Sequence, residues 1–161
     1  MVGLDPTIHS RERRHPKWPA RPRRARRSNA PQEDPMPVNK KHDEFYTLDM
    51  TTGWEVPAGY PQGIKQKIIS GALDEENRGG TRTRLLKFDP GVFTTKPFEH
   101  EYWEEVYLVS GDLTVGNDEN GDGGETFPPN TYACRPPHAP HGPFKSEKGC
   151  MLLEIHYFDP V

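Results

Sequence analysis

The chain has 161 residues, room for one domain with a real core and too few for two of ordinary size. Its net charge of −3 is unevenly divided, for residues 1–35 hold nine Lys/Arg against four Asp/Glu and the remainder holds twelve against twenty. An acidic body gives no electrostatic basis for binding nucleic acid, and no apolar run approaches the roughly 20 residues needed to span a bilayer.

Residues 1–37 are rich in Arg and Pro, with no strand or helix period and little to bury, and are expected to be disordered. Pro16, Pro19 and Pro22 prevent the amphipathic helix of an organelle transit peptide, and the apolar core of a signal peptide is missing. Two readings remain: sequence upstream of a true start at Met36, or a basic arm. With no export signal, Cys134 and Cys150 are expected to be free, buried thiols in a cytoplasmic protein. Residues 38–63 form an N-terminal arm and residues 64–161 the body.

Along the body, short β-type runs occupy residues 64–70, 81–88, 102–110, 113–116, 131–135 and 151–158, separated by Gly, Pro, Asn and Asp. The expected class is all-β, a sandwich or a closed barrel. In the second run Arg82, Arg84, Leu86 and Phe88 share a face. One of those arginines is a candidate anchor for a substrate carboxylate or carbonyl, the competing reading being a pair with a surface acid.

If residues 98–108 are extended, Phe98, His100, Tyr102, Glu104, Val106 and Leu108 share a second face. Its aliphatics mark it as the interior, where a charged Glu104 needs a partner or a metal, while Glu99, Glu101 and Glu105 point outward. Tyr102 is a pocket wall or a weak acid. Residues 118–123 imitate the start of a calcium-binding loop, but Pro129 stands at its twelfth position and a solvated hairpin is expected. Downstream come Pro136, Pro137, His138 and His141, with His138 directed either at the site or at solvent. In the last run Glu154 and His156 either orient a metal-bound histidine or form the polar face of an edge strand.

His100, three residues, Glu104, six residues and Gly111, followed by Pro136, Pro137, His138, two residues and His141, resemble the two motifs of the cupin superfamily, in its small single-domain ChrR-like and cupin-2 types. The likeness covers about residues 64–158. Phe98 stands where the first motif histidine is expected, Asn130 and His138 replace glycines, and Lys145 replaces an asparagine. The resemblance implies a double-stranded β-helix (jelly-roll barrel) with a metal on His100, Glu104 and His141; His138 is a candidate extra ligand, the alternative being a solvent-facing side chain. Such a two-histidine, one-carboxylate set suits one Fe(II) per chain, with Mn, Ni or Zn allowed by the same chemistry. The expected function is oxygenation of a small carbonyl or phenolic compound with Glu104 and Tyr102 as catalytic groups. The alternatives are a metal-dependent isomerase or lyase, and a non-catalytic ligand-binding or sensor protein. By resemblance, residues 43–66 are expected to be a homodimer contact.

Overall fold

The structure, a computed structural model, describes residues 39–159, so the Arg/Pro-rich tail lies outside the described residues. Those residues form nine strands and no α-helix: β1 (Ile64–Asp74), β2 (Gly79–Phe88), β3 (Val92–Phe93), β4 (Trp103–Gly111), β5 (Leu113–Val115), β6 (Glu125–Phe127), β7 (Tyr132–Arg135), β8 (Phe144–Ser146) and β9 (Cys150–Tyr157). Five make one antiparallel sheet in the order β1-β2-β9-β4-β7, and four make a second in the order β3-β8-β5-β6. No helix among them is long and apolar enough to cross a membrane.

The core lies on the inner face of the larger sheet, where alternation buries one side of each central strand. Ile64, Leu86, Phe88, Val106, Leu108, Leu113, Cys150 and Leu152 form one cluster, each large aliphatic or aromatic side chain contributing about 1.5–3 kcal/mol by leaving water. Farther along the same strands the inward positions change from apolar to charged: Phe88 and Leu86 give way to Arg84 and Arg82, Leu152 to Glu154 and His156, and Val106 to Glu104. One end of the interior is thus a hydrophobic core and the other a polar chamber.

The expected strands are present, with three additions. β3, β6 and β8 have two or three residues each, too few to show a period, and β1 runs four residues past the expected end. Residues 118–124 join β5 to β6, and the Asp118 carboxylate accepts backbone N–H groups of Asn120 and Asp122, as a solvated hairpin requires. Cys134 corrects an expectation: β7 is an edge strand with Cys134 on its outer side, so this thiol is exposed while Cys150 is buried. The arm is tied to its own sheet by the Glu55–Gln66 bridge, by Lys40 donating to Thr83 and by Lys67 donating to the Thr52 carbonyl.

Candidate metal centre

Register alone builds a row of polar side chains across the larger sheet. Arg82 on β2 pairs with His156 on β9, His156 with Glu104 on β4, and Glu104 with Arg135 on β7. All four positions face inward, so their side chains must satisfy one another or a bound group. His100 and His141 come to the row from loops. The Phe98 and His141 backbones exchange two hydrogen bonds, 2.8 and 3.0 Å, and the His138 N–H donates to the His100 carbonyl at 2.9 Å. Those bonds clip the two motif segments together at the mouth of the chamber.

Glu104 is the hub. Its side chain is 7% exposed, and four cationic or imidazole groups surround it: Arg135 Nη1 at 2.7 Å, His156 Nε2 at 3.3 Å, His141 Nε2 at 3.5 Å and His100 Nε2 at 3.7 Å. Burial pushes its carboxyl up, but His100, His156 and the Arg135 charge outweigh burial and hold it well below the usual carboxylate range. Glu104 is therefore ionised.

The three histidines divide by what their second nitrogens do. His100 Nδ1 lies 2.9 Å from the Tyr102 carbonyl and His141 Nδ1 lies 2.8 Å from the Ala139 carbonyl. A carbonyl only accepts, so both rings carry a proton on Nδ1, and in the neutral form each turns an Nε2 lone pair towards Glu104. His156 is the opposite case, since Arg82 Nε and Nη2 both donate to its Nδ1, at 3.1 and 2.8 Å. Its proton sits on Nε2, which faces Glu104 and, at 3.4 Å, Glu154. His156 thus turns an N–H towards the two carboxylates, though this nitrogen, like His100 Nε2, is buried without a hydrogen-bond partner, and His100 and His141 offer lone pairs to whatever sits beside Glu104.

A divalent metal fits this arrangement. His100, Glu104 and His141 bring their ligand atoms within 4.8 Å of one another, and His100 Nε2 is a buried atom with no hydrogen-bond partner. A buried lone pair without a donor is the condition a metal ion relieves. Glu104, Glu154 and His156 meet the same spacing, but Glu154 is already bound by Arg84 and His156 has its lone pair on the wrong nitrogen. Tyr102 stacks flat on His100, with centroids 4.0 Å apart, and burial raises its pKa, so it holds its proton at neutral pH. Burial also lowers His141, keeping it neutral and able to ligate.

Two candidate residues stand apart from the cluster. His138 is no part of the cluster: its backbone takes a left-handed turn (φ 64°) and its side chain, 61% exposed, faces Glu99 at 3.5 Å. Arg84 is not available to a substrate, because burial leaves it no water and its donors go to Glu154 Oε2 at 2.6 Å and Gln66 Oε1 at 2.7 Å. Burial opposes its charge and that of Glu154, yet mutual attraction wins, raising the Arg84 pKa and lowering that of Glu154. Phe98 stands as an aromatic wall, stacked with Tyr60 at 4.9 Å and Phe144 at 6.1 Å. Arg135 had no place among the expected site residues. Its signal was parity: it shares the inward side of β7 with Ala133, immediately before the Pro136-Pro137 turn.

Solved structures share this fold. An RmlC-like cupin from Shewanella frigidimarina is 20% identical with a TM-score of 0.51, covering 73% of this chain and 92% of its own. An acetylacetone dioxygenase from Acinetobacter johnsonii is also 20% identical, with a TM-score of 0.52 and coverages of 74% and 78%. The polyketide cyclase RemF from Streptomyces resistomycificus is 15% identical at a TM-score of 0.52, with coverages of 73% and 82%. Comparison with curated proteins gave no match. The solved cupins show the fold, an antiparallel jelly roll, and the profile of the DUF4437 family, described as a domain of unknown function, matches residues 17–154, so the chain belongs to that family.

Proposed function

We propose that the protein is an Fe(II)-dependent oxygenase acting on a small carbonyl or phenolic compound. The observation that carries this reading is the tautomer pattern, which leaves two histidine lone pairs and one carboxylate facing a common point and withholds the third histidine. When bound, a divalent metal on such a set supplies Lewis acidity and open positions for substrate oxygens and O2. The chain's own groups do the rest. Arg135 donates to one carboxylate oxygen of Glu104, His156 Nε2 lies 3.3 Å from the other, and Tyr102 stacks on His100. Phe98, Tyr60 and Phe144 exclude water from the His141 side. Mn, Ni or Zn binding to the same three residues would support other chemistries, and the fold selects none, being shared by a dioxygenase and a cyclase.

The test is anaerobic reconstitution with Fe(II), then oxygen-uptake assays on diketones, aromatic ketones and phenols. Uptake that disappears in His100→Ala, Glu104→Ala and His141→Ala is expected. Turnover that persists with Zn(II) and without oxygen would instead favour isomerase or lyase chemistry. The observation behind that second reading is His156, whose Nε2–H lies between two carboxylates and is placed to move a proton. Two accompanying readings belong to the same proposal: a cytoplasmic location, in keeping with two free thiols, and a homodimer contact through residues 43–66.

A further inference from the structure

A cavity of about 210 Å³ lies between the edges of the two sheets, with Val106 and Leu108 of β4, Leu113 and Val115 of β5, Phe127 of β6 and Ala133 of β7 in its wall. Arg135 and exposed Tyr132 also line it. A second, smaller void of about 20 Å³ has Arg135, Val106 and Leu113 in its wall as well, together with Glu104. A larger cavity of about 500 Å³ has Tyr60 and Phe98 in its wall but none of His100, Glu104, His141 or Arg135. The 210 Å³ cavity shares three wall residues with the void that reaches Glu104, and the 500 Å³ cavity shares Tyr60 alone.

Arg135 is unusual in how little of it is used. Among the described residues it makes one hydrogen bond, from Nη1 to Glu104 Oε2, while its guanidinium packs 5.6 Å from the Phe144 ring centroid. The remaining N–H donors of the fork have no acceptor among the described residues, in a side chain 16% exposed. A dication beside Glu104 would also leave the Arg135–Glu104 pair with uncompensated positive charge. An apolar chamber with a part-used guanidinium in its wall has the chemistry of an amphiphilic ligand site: the body goes into the aliphatic wall and a planar pair of oxygens meets the fork.

We propose that this cavity is the substrate site, and that it takes a small planar oxyanion, a carboxylate or a β-dicarbonyl enolate, on an apolar body about one ring in size. The size follows from volume, since a dry cavity of about 150 Å³ already admits benzene. The inference deepens the function proposed above and rests on it for the metal that adds to the positive charge.

The test is binding, not turnover, with full-length protein in metal-free and Zn(II)-loaded forms and with benzoate, hexane-2,4-dione and toluene as probes. Methyl chemical shifts of Val106, Leu113 and Val115 are expected to move on adding each probe, and benzoate to bind more tightly to the zinc form. Arg135→Met is expected to weaken benzoate and the dione about tenfold or more and to leave toluene unchanged, with Arg135→Lys recovering part of the loss. Benzoate binding equally to Arg135→Met overturns the anchor. Shifts confined to residues outside the cavity, or no binding by any probe, overturn the site. Zinc content is measured separately: failure of the wild type to hold metal while benzoate still moves those methyls sinks the proposed oxygenase and leaves the pocket standing.

Discussion

Each histidine of the centre is defined by the nitrogen that faces away from it. A carbonyl behind His100 and His141 leaves their Nε2 lone pairs free to ligate in the neutral rings, whereas a guanidinium behind His156 puts its proton on Nε2. Histidine ¹⁵N spectra of the metal-free protein are therefore expected to show Nδ1–H tautomers for His100 and His141 and an Nε2–H tautomer for His156. Arg82→Leu should shift His156 towards Nδ1–H and let its Nε2 compete for the metal, a change visible in the same spectra. Next to this row, Arg84 and Glu154 are 5% and 4% exposed in their side chains, so removing one strands the other. Arg84→Met is expected to lower unfolding free energy by about 3–5 kcal/mol, and Arg84→Met combined with Glu154→Leu to recover much of it, because two apolar residues leave no uncompensated charge. Chemical denaturation of the three proteins measures both effects. Equal stability of the wild type and Arg84→Met would show that the pair is not buried as described.

At the scale of elements, the centre depends on one register across four strands. β4 carries a bulge between Leu108 and Ser110 and ends at Gly111 with φ 83°, where an added Cβ would collide with the Gly149 carbonyl and Cys150 backbone of β9. Gly111→Ala is expected to be strongly destabilising for that steric reason and to loosen the β4–β9 pairing that sets Glu104 opposite His156. Amide hydrogen exchange along β9 measures it, with faster exchange near Cys150 and slower change near Tyr157. The Gly111 position was readable in sequence because it closes the first motif, and so was the inward side of β4, since Glu104 and Glu105 differ by one residue of alternation. Asn130, in place of a motif glycine, takes φ 69°, a conformation asparagine tolerates better than most residues. Other features were not readable. β3, β6 and β8 are too short to carry a period, and Arg135 meets Glu104 only through the β4–β7 pairing, a long-range fact that no local pattern contains. The direction of His138 was likewise undetermined, because a left-handed residue in a proline-rich turn aims its side chain by backbone geometry, not by spacing.

For the whole molecule, the cluster ties folding to pH and to metal. Glu104 and Glu154 have folded pKa values below their ordinary 4.5, and His141 has one below its ordinary 6.5. In each case the unfolded chain binds protons more readily than the folded one, so stability rises with pH through the interval and is fully present above the unfolded value. The melting temperature of the metal-free protein is therefore expected to be level above about pH 7, to decline as His141 takes protons below 6.5, and to fall more steeply below 4.5 as the buried carboxylates are titrated. A metal that binds only the folded chain adds stability by mass action, about 2.7 kcal/mol at a hundred times its dissociation constant, or on the order of 10 °C in melting temperature. Protons compete with metal for the His141 lone pair, so the metal-induced increment should shrink between pH 7 and 5 while the metal-free curve is still shallow. Thermal melts with and without Zn(II) across that range separate the two contributions. An increment that stays constant to pH 5 would mean that the ion sits away from His141, and loss of the increment in His156→Ala but not in His141→Ala would move it to His156.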